Sequence, residues 1–176
     1  MSRYRDNILE LMAGLLSDVP VVDRALDFGA GDGWFAQAVT RRGWAREVVP
    51  VDVQRREHGL VDPVLYDGQH LPFPDRSFPL TYSIDVVHHA PDPVATLEEV
   101  LRCTGEYFLL KDHTYRGRFG YLTLCVLDEL GNRRFGVPSR YRYQHEWSWM
   151  PVLERAGFAL QKFIHPAECE RGPSEC

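Results

Sequence analysis

Gly29, Gly31 and Gly33 stand at alternate positions, after the apolar run 25–28 and before the start of a helical pattern at 34–39. Glycine takes positive φ without penalty and leaves no side chain between the backbone and a ligand. Strand, glycine turn and helix therefore read as the βα unit of a nucleotide-binding sheet, with Ala30 carried on the same turn. Two acids flank it. Asp27 lies two residues before the first glycine, and Asp52 closes the apolar run 48–51, 19 residues beyond Gly33. A carboxylate at the carboxyl end of a second strand can accept both hydroxyls of a ribose, though a solvated turn aspartate occupies the same kind of position. A second set of residues can move protons: His88, His89, Asp112 and His113. Histidine suits a general base because its ordinary pKa of about 6.5 lies near neutrality, and a neighbouring carboxylate can orient the ring. One of the adjacent pair can equally serve only to pack beneath a ligand. Three histidines and an aspartate also raise the question of a metal. Both pairs are adjacent in sequence and lack the i, i+4 spacing of helix-borne ligands, so no metal site is expected.

The elements that must position these residues alternate regularly. Apolar strand patterns fall at 25–28, 48–52, 60–66, 80–84 and 107–111, with helical patterns at 34–42 and 94–102 between them. That alternation predicts an α/β domain with a mainly parallel, doubly wound sheet covered by helices on both faces. Ligands of such sheets lie beyond the carboxyl ends of the strands, where the glycines, Asp52, Asp67, the histidine pair and Asp112-His113 all fall. Ile8, Leu9, Leu11, Met12, Leu15 and Leu16 predict an N-terminal helix with one apolar face, within a capping segment 1–21. The main domain is expected over 22–166. It ends in a helix over 147–156 and a sixth strand over 158–164.

Residues 114–145 read as an insertion, a helix followed by a loop carrying Arg133, Arg134, Arg140, Tyr141, Arg142 and Tyr143. A lid over the cleft, a homodimer contact and a solvated surface loop are all compatible with that composition. Residues 167–176 show no strand pattern and read as an irregular tail.

The 176 residues suffice for one core without staples, and 44% apolar with 26% charged residues is a globular composition. No apolar run reaches the length of a membrane span, and the first residues lack the layout of a secretory signal, so a cytoplasmic protein is expected. The four cysteines have no C-x-x-C spacing. A net charge of −5 argues against general nucleic-acid binding.

The D-x-G-x-G-x-G form at 27–33 resembles motif I of the class I S-adenosylmethionine-dependent methyltransferases, and differs from the G-x-G-x-x-G of dinucleotide binders. The segment 67–78 resembles the D-x-x-x-L-P-F-x-D-x-S-F pattern of small-molecule members, and His88-His89 resembles the pair that follows their fourth strand. The stretch from Lys111 to Trp147 is similar to a bacterial subgroup. The resemblance implies a Rossmann-like fold whose last, antiparallel strand has no counterpart in 167–176, so that strand is absent or the chain is shortened.

It also implies S-adenosylmethionine as cofactor. Asp27 would fix the ammonium group, directly or through water, and Gly29, Ala30 and Gly31 would lie against the methionine portion. Asp52 and Val53 would take the ribose, Asp67 with the Gly68 and Gln69 backbone the adenine, and the Ser83 and Ile84 backbone would complete the methionine site. The activity implied is methyl transfer to oxygen or nitrogen of a small molecule. A cofactor-binding module or partner subunit without turnover is the alternative. A nicotinamide oxidoreductase fits the glycine spacing less well, and nucleic-acid methylation is disfavoured by the acidic remainder of the chain.

Overall fold

The computed structural model describes residues 3–132 and 140–167. Strands β1 (Val22–Phe28), β2 (Ala45–Asp52), β3 (Val64–Leu65), β4 (Phe78–Ile84) and β5 (Thr104–Lys111) form one sheet in the order β3-β2-β1-β4-β5. Every pairing is parallel. The chain winds outward from β1 to β3, then returns to the other side of β1 for β4 and β5. That reversal puts the topological switch point between β1 and β4, where a crevice must open at the carboxyl ends.

Alternate residues of the central strands face opposite layers, which is why these strands read as near-continuous apolar runs. Ala25, Leu80 and Tyr82 pack on one side with Ile8, Met12 and Leu16 of the N-terminal segment and Val39 of α2 (Trp34–Arg42). Leu26, Phe28 and Val51 pack on the other with Val100 and Cys103 of α3 (Pro93–Cys103) and with Leu71. Helix α1 (Arg3–Leu15) turns the one apolar face its spacing predicts, Ile8, Leu9 and Met12, into the first layer. Helix α2 stops at Gly43, whose φ of 71° lets its N–H reach back to Thr40 and Val39 carbonyls. Helix α3 starts where Asp92 accepts from the Val94 and Ala95 N–H groups and Pro93 occupies the first turn, a cap worth about 1 kcal/mol.

Three expectations change. The third strand shrinks to Val64–Leu65, because Pro63 before it has no N–H for the ladder. The last helix, α5 (Met150–Arg155), is shorter than 147–156. It follows a turn in which Glu146 and Trp147 take φ of 45° and 64°. The sixth strand does not form: residues 158–164 carry no ladder, so β5 is the sheet's edge among the described residues. Lys162 there donates to the Gly14 carbonyl (3.2 Å) and Ser17 Oγ (2.7 Å) and pairs with Asp18 (2.8 Å), while Phe163 packs edge-on against Trp147. These contacts tie its far end to the end of α1, while Phe158, Ala159 and Gln161 face Gly105, Glu106 and Tyr107 of β5 across a cleft without joining the ladder.

The insertion contains β6 (Thr114–Tyr115), α4 (Gly117–Asn132) and β7 (Gln144–His145), with β6 and β7 paired in parallel. Of its arginines, Arg133 and Arg134 lie outside the described residues, as does most of the expected tail. Among the described residues no helix is long and apolar enough to cross a membrane.

Candidate functional site

The glycine turn is built as its spacing predicts. Gly29, Gly31 and Gly33 take φ of 75°, 58° and 78°. A Cβ on Gly29 would lie 2.3 Å from Val86 Cγ1, and one on Gly33 2.0 Å from Val61 Cγ2, so these two glycines admit neighbouring protein. Gly31 differs: nothing stands within 4 Å of its would-be Cβ. The open side of the turn is thus at Gly31, and its N–H donates to Asp52 Oδ2 at 2.9 Å. Asp52 is buried, and its other oxygen accepts from Gln54 N–H at 3.2 Å. One acid therefore joins the end of β2 to the middle of the glycine turn.

Asp27 points into the layer of α1 and α2 beside Tyr82, its register partner on β4. Burial dominates its environment and raises its pKa to about 7, partly offset by the Tyr82 hydroxyl and reinforced by the Asp52 charge. Asp27 Oδ2 and, on the opposite face of the sheet, Ser83 Oγ are buried without a hydrogen-bond partner, while the Tyr82 hydroxyl lies against the Asp27 carboxylate. The unsatisfied Asp27 oxygen at the end of β1 marks a place that a polar ligand can complete. A buried carboxylate beside the open Gly31 backbone has the chemistry to receive the ammonium and backbone of S-adenosylmethionine. Ile84 ends β4 next to Ser83, and Val53 is exposed just past Asp52.

Asp67 lies next along the same edge, joined to Asp52 through the Tyr66 N–H, which donates to the Asp52 carbonyl at 3.2 Å. It is exposed, and its Oδ1 accepts from Gln69 N–H (2.8 Å) and His70 N–H (2.7 Å), bonds that hold its pKa below the ordinary value. This turn sets Gly68 at φ 84°, with its Cβ position facing Val53. Asp52 and Asp67 thus share one side of the molecule. Sequence reasoning missed what fixes this segment. Glu99 of α3 accepts from Leu71 N–H at 2.7 Å, and Arg102 donates to the Phe73 carbonyl (2.9 Å) and Asp75 (2.7 Å).

The histidines gather at the ends of β4 and β5. His88, on a 3-10 turn (Val87–His89), is fully buried, with Nδ1 2.6 Å from Asp112 Oδ1. Asp112 also accepts from Val87 N–H (3.0 Å) and His113 N–H (2.7 Å). Burial works to raise the Asp112 pKa, but His88 and these N–H bonds outweigh it and the net shift is downward. For His88 burial works to lower the pKa; Asp112, then Asp128, outweigh it and bring it to about 9.

Asp128 of α4 is the residue the sequence did not announce. Its Oδ1 lies 3.7 Å from His88 Nε2 and 4.0 Å from His89 Nε2. Burial works to raise it, but His88 and Tyr143 bring its pKa to about 2. His113 is more open, with 37% of its side chain exposed and Nε2 3.3 Å from Asp85 Oδ1. Burial first, then the Lys111 charge, lower its pKa against the pull of Asp85.

Asp85 is a second unannounced residue, held at φ 55°. It accepts from Tyr4 of α1 (2.5 Å) and Lys111 of β5 (2.5 Å), while Lys111 also donates to the Tyr4 hydroxyl (2.7 Å). Arg5 reaches Asp32 of the glycine turn at 2.8 Å. The first turn of α1 is thereby tied across the crevice. A concavity of about 390 Å³ lined by Arg76, Glu98, Arg102 and Arg155 lies at the opposite, amino end of the strands, away from the glycine turn and the histidines.

A family model described as a methyltransferase domain matches residues 26–106, from β1 into β5. The chain is 31% identical over 145 residues to an uncharacterized methyltransferase of Mycobacterium sp. (strain KMS), covering 78% of this chain and 57% of that protein. It is 27% identical over 173 residues to the methyltransferase GfsG of Streptomyces halstedii, covering 89% and 61%. The chain therefore spans about three-fifths of the length of these relatives. Among solved structures, the YcgJ protein of Bacillus subtilis superposes with a TM-score of 0.67 at 25% identity, over 86% of this chain and 68% of that one. A SAM-dependent methyltransferase from Aquifex aeolicus shares the fold, with a TM-score of 0.56 at 20% identity over 85% and 80%.

Proposed function

We propose that this chain is a class I S-adenosylmethionine-dependent methyltransferase that transfers the cofactor's methyl group to an oxygen or nitrogen of a small molecule. The observation that carries the reading is the open backbone at Gly31, flanked by Asp52 and by the buried Asp27 carboxylate. The cofactor supplies an already activated methyl on a sulfonium, so the protein has only to bind, align and manage one proton.

Asp27 would hold the ammonium group, and Gly29, Ala30 and Gly31 would lie along the methionine portion, with the Ser83 and Ile84 backbone on its other side. Asp52, with Val53 beside it, would take the ribose. The turn of Asp67, Gly68 and Gln69 would meet the adenine. Of the four proton-transfer candidates, His88 and Asp112 are buried against each other, which suits them to positioning. His113 is accessible and its lowered pKa keeps a neutral, accepting nitrogen at pH 7, so it is the residue we assign as general base. The net charge of −5 favours a small acceptor over nucleic acid.

Calorimetric titration with S-adenosylmethionine tests the reading: binding well below ~1 mM is expected, and none at that concentration ends it. A second reading, a cofactor-binding module without turnover, draws support from the sheet's ending at β5 among the described residues. The two separate on H113Q. A loss of about 10²–10⁴-fold in methyl transfer with cofactor affinity kept marks an enzyme. Binding with no transfer to any acceptor marks the module.

A further inference from the structure

We propose that His88, His89 and Asp128 form a binding site for one late first-row divalent cation, of the Zn²⁺, Fe²⁺ or Co²⁺ kind. The three side chains come from two elements far apart in sequence, the 3-10 turn after β4 and helix α4, and each offers one ligand atom within 4.8 Å of the others. His88 Nε2 and His89 Nε2 both face Asp128 Oδ1, at 3.7 and 4.0 Å. Metal–ligand bonds of about 2.0–2.2 Å place tetrahedral ligand atoms about 3.4 Å apart, so the two histidine–Asp128 distances need contract by only a few tenths of an ångström, and the histidine pair, within 4.8 Å, closes by side-chain rotation.

The surroundings match what such a ligand set needs. Asp112 accepts the hydrogen bond of His88 Nδ1–H at 2.6 Å, which orients Nε2 toward Asp128, where an incoming cation takes the place of the Nε2 proton. Asp112 is itself anchored by two backbone N–H groups, so the ring is held rigidly. Among the ligands the side chains of His88 and Asp128 are 1% and 8% exposed and that of His89 19%, so the site is largely shielded and reached from the His89 side. A divalent ion, two neutral imidazoles and the two carboxylates of Asp128 and Asp112 sum to zero charge. That composition suits a buried site. Two imidazoles and one carboxylate select late first-row metals over magnesium or calcium, and three protein ligands leave a position for an oxygen of water or a small molecule. The adjacency of His88 and His89 argued against a metal only while the third ligand was unknown; the fold supplies it from α4.

The inference goes beyond methyl transfer and is tested without it. The full chain, stripped of metal with a chelator, is titrated with Co²⁺ and followed by visible absorption. Saturation at one ion per chain, with bands of a four- or five-coordinate site and displacement by Zn²⁺, is the expected result. H89A and D128N should each weaken binding at least ~10-fold and D112N ~10–100-fold, whereas H58A, at an exposed histidine, should leave it unchanged. Absence of a saturable spectrum, or a spectrum that persists in both H89A and D128N, overturns the site. Where D128N does not fold, the Zn²⁺-dependent rise in Tm of the unaltered chain and its loss in H89Q decide the matter. Titrating the same preparations with S-adenosylmethionine keeps this outcome distinct from that of the proposed function.

Discussion

Gly31 is where backbone shape and ligand space separate. Its φ of 58° costs a side chain about 1–2 kcal/mol, but no protein atom opposes a Cβ there. Gly31→Ala should therefore lower Tm only modestly while weakening S-adenosylmethionine binding at least ~10-fold by calorimetry, whereas Gly33→Ala, driven into Val61, should fail to fold. Asp27 carries the pH dependence. Its pKa is about 7 in the folded chain against about 4 unfolded, so the native state retains a proton that the unfolded chain releases between these values. The Asp27 contribution to stability then falls as pH rises from 4 to 7. Cofactor affinity should climb over the upper part of that window as the carboxylate forms, and Asp27→Asn should flatten both profiles in melts and titrations at stepped pH. Asp27, Asp52, Asp67 and the histidines were legible because each stands beside a strand end or in a contiguous pattern. Asp85, Asp128 and Tyr4 were not. They reach the site from the end of β4, from the insertion helix and from α1, and their local spacing encodes none of that convergence.

At the level of elements, the segment 67–78 is held by α3 and not by its own chain. Arg102 joins Glu99, Asp75 and the Phe73 carbonyl, and Glu99 takes the Leu71 N–H. Arg102→Ala leaves these acceptors unpaired at a partly buried seam, and should cost about 1–3 kcal/mol in urea denaturation. Because the Asp67 turn precedes that seam, cofactor affinity should fall as well, while the Tm of Arg76→Ala, whose side chain makes one bond to the Gly105 carbonyl, should change less. Strands β1, β2, β4 and β5 were readable because burial on both faces writes them as apolar runs. Residues 158–164 share that apolar character, yet Leu160 and Phe163 stay exposed and the segment joins no ladder. Apolar spacing reports what a segment could bury; here Phe158 reaches the layer of α3 and β5, and Lys162 and Phe163 make only surface contacts to Asp18 and Trp147.

Across the whole molecule, α1 is fastened at both ends, and the two fastenings have different consequences. Its first turn meets the carboxyl edge of the sheet through Tyr4 on Asp85 and Lys111 and through Arg5 on Asp32. Its last turn and the chain just beyond it meet Lys162 at Gly14, and at Ser17 and Asp18. Between them Ile8 and Met12 are buried in the core, which keeps the helix body in place whichever end is released. The first turn spans the crevice between the glycine turn and the end of β4, so releasing it should open the cofactor's place without unfolding the sheet. We therefore expect Tyr4→Phe combined with Arg5→Ala to speed amide hydrogen exchange over residues 4–8 and weaken S-adenosylmethionine binding by ~10-fold or more, with the global unfolding midpoint changed little. Lys162→Ala should instead speed exchange near residues 14–18 and leave binding unchanged. Saturating cofactor should slow exchange at residues 4–8 in the unaltered chain, because a ligand held by the closed crevice stabilises the helix turn that closes it. Equal exchange at residues 4–8 with and without cofactor would show that the first turn of α1 takes no part in holding it.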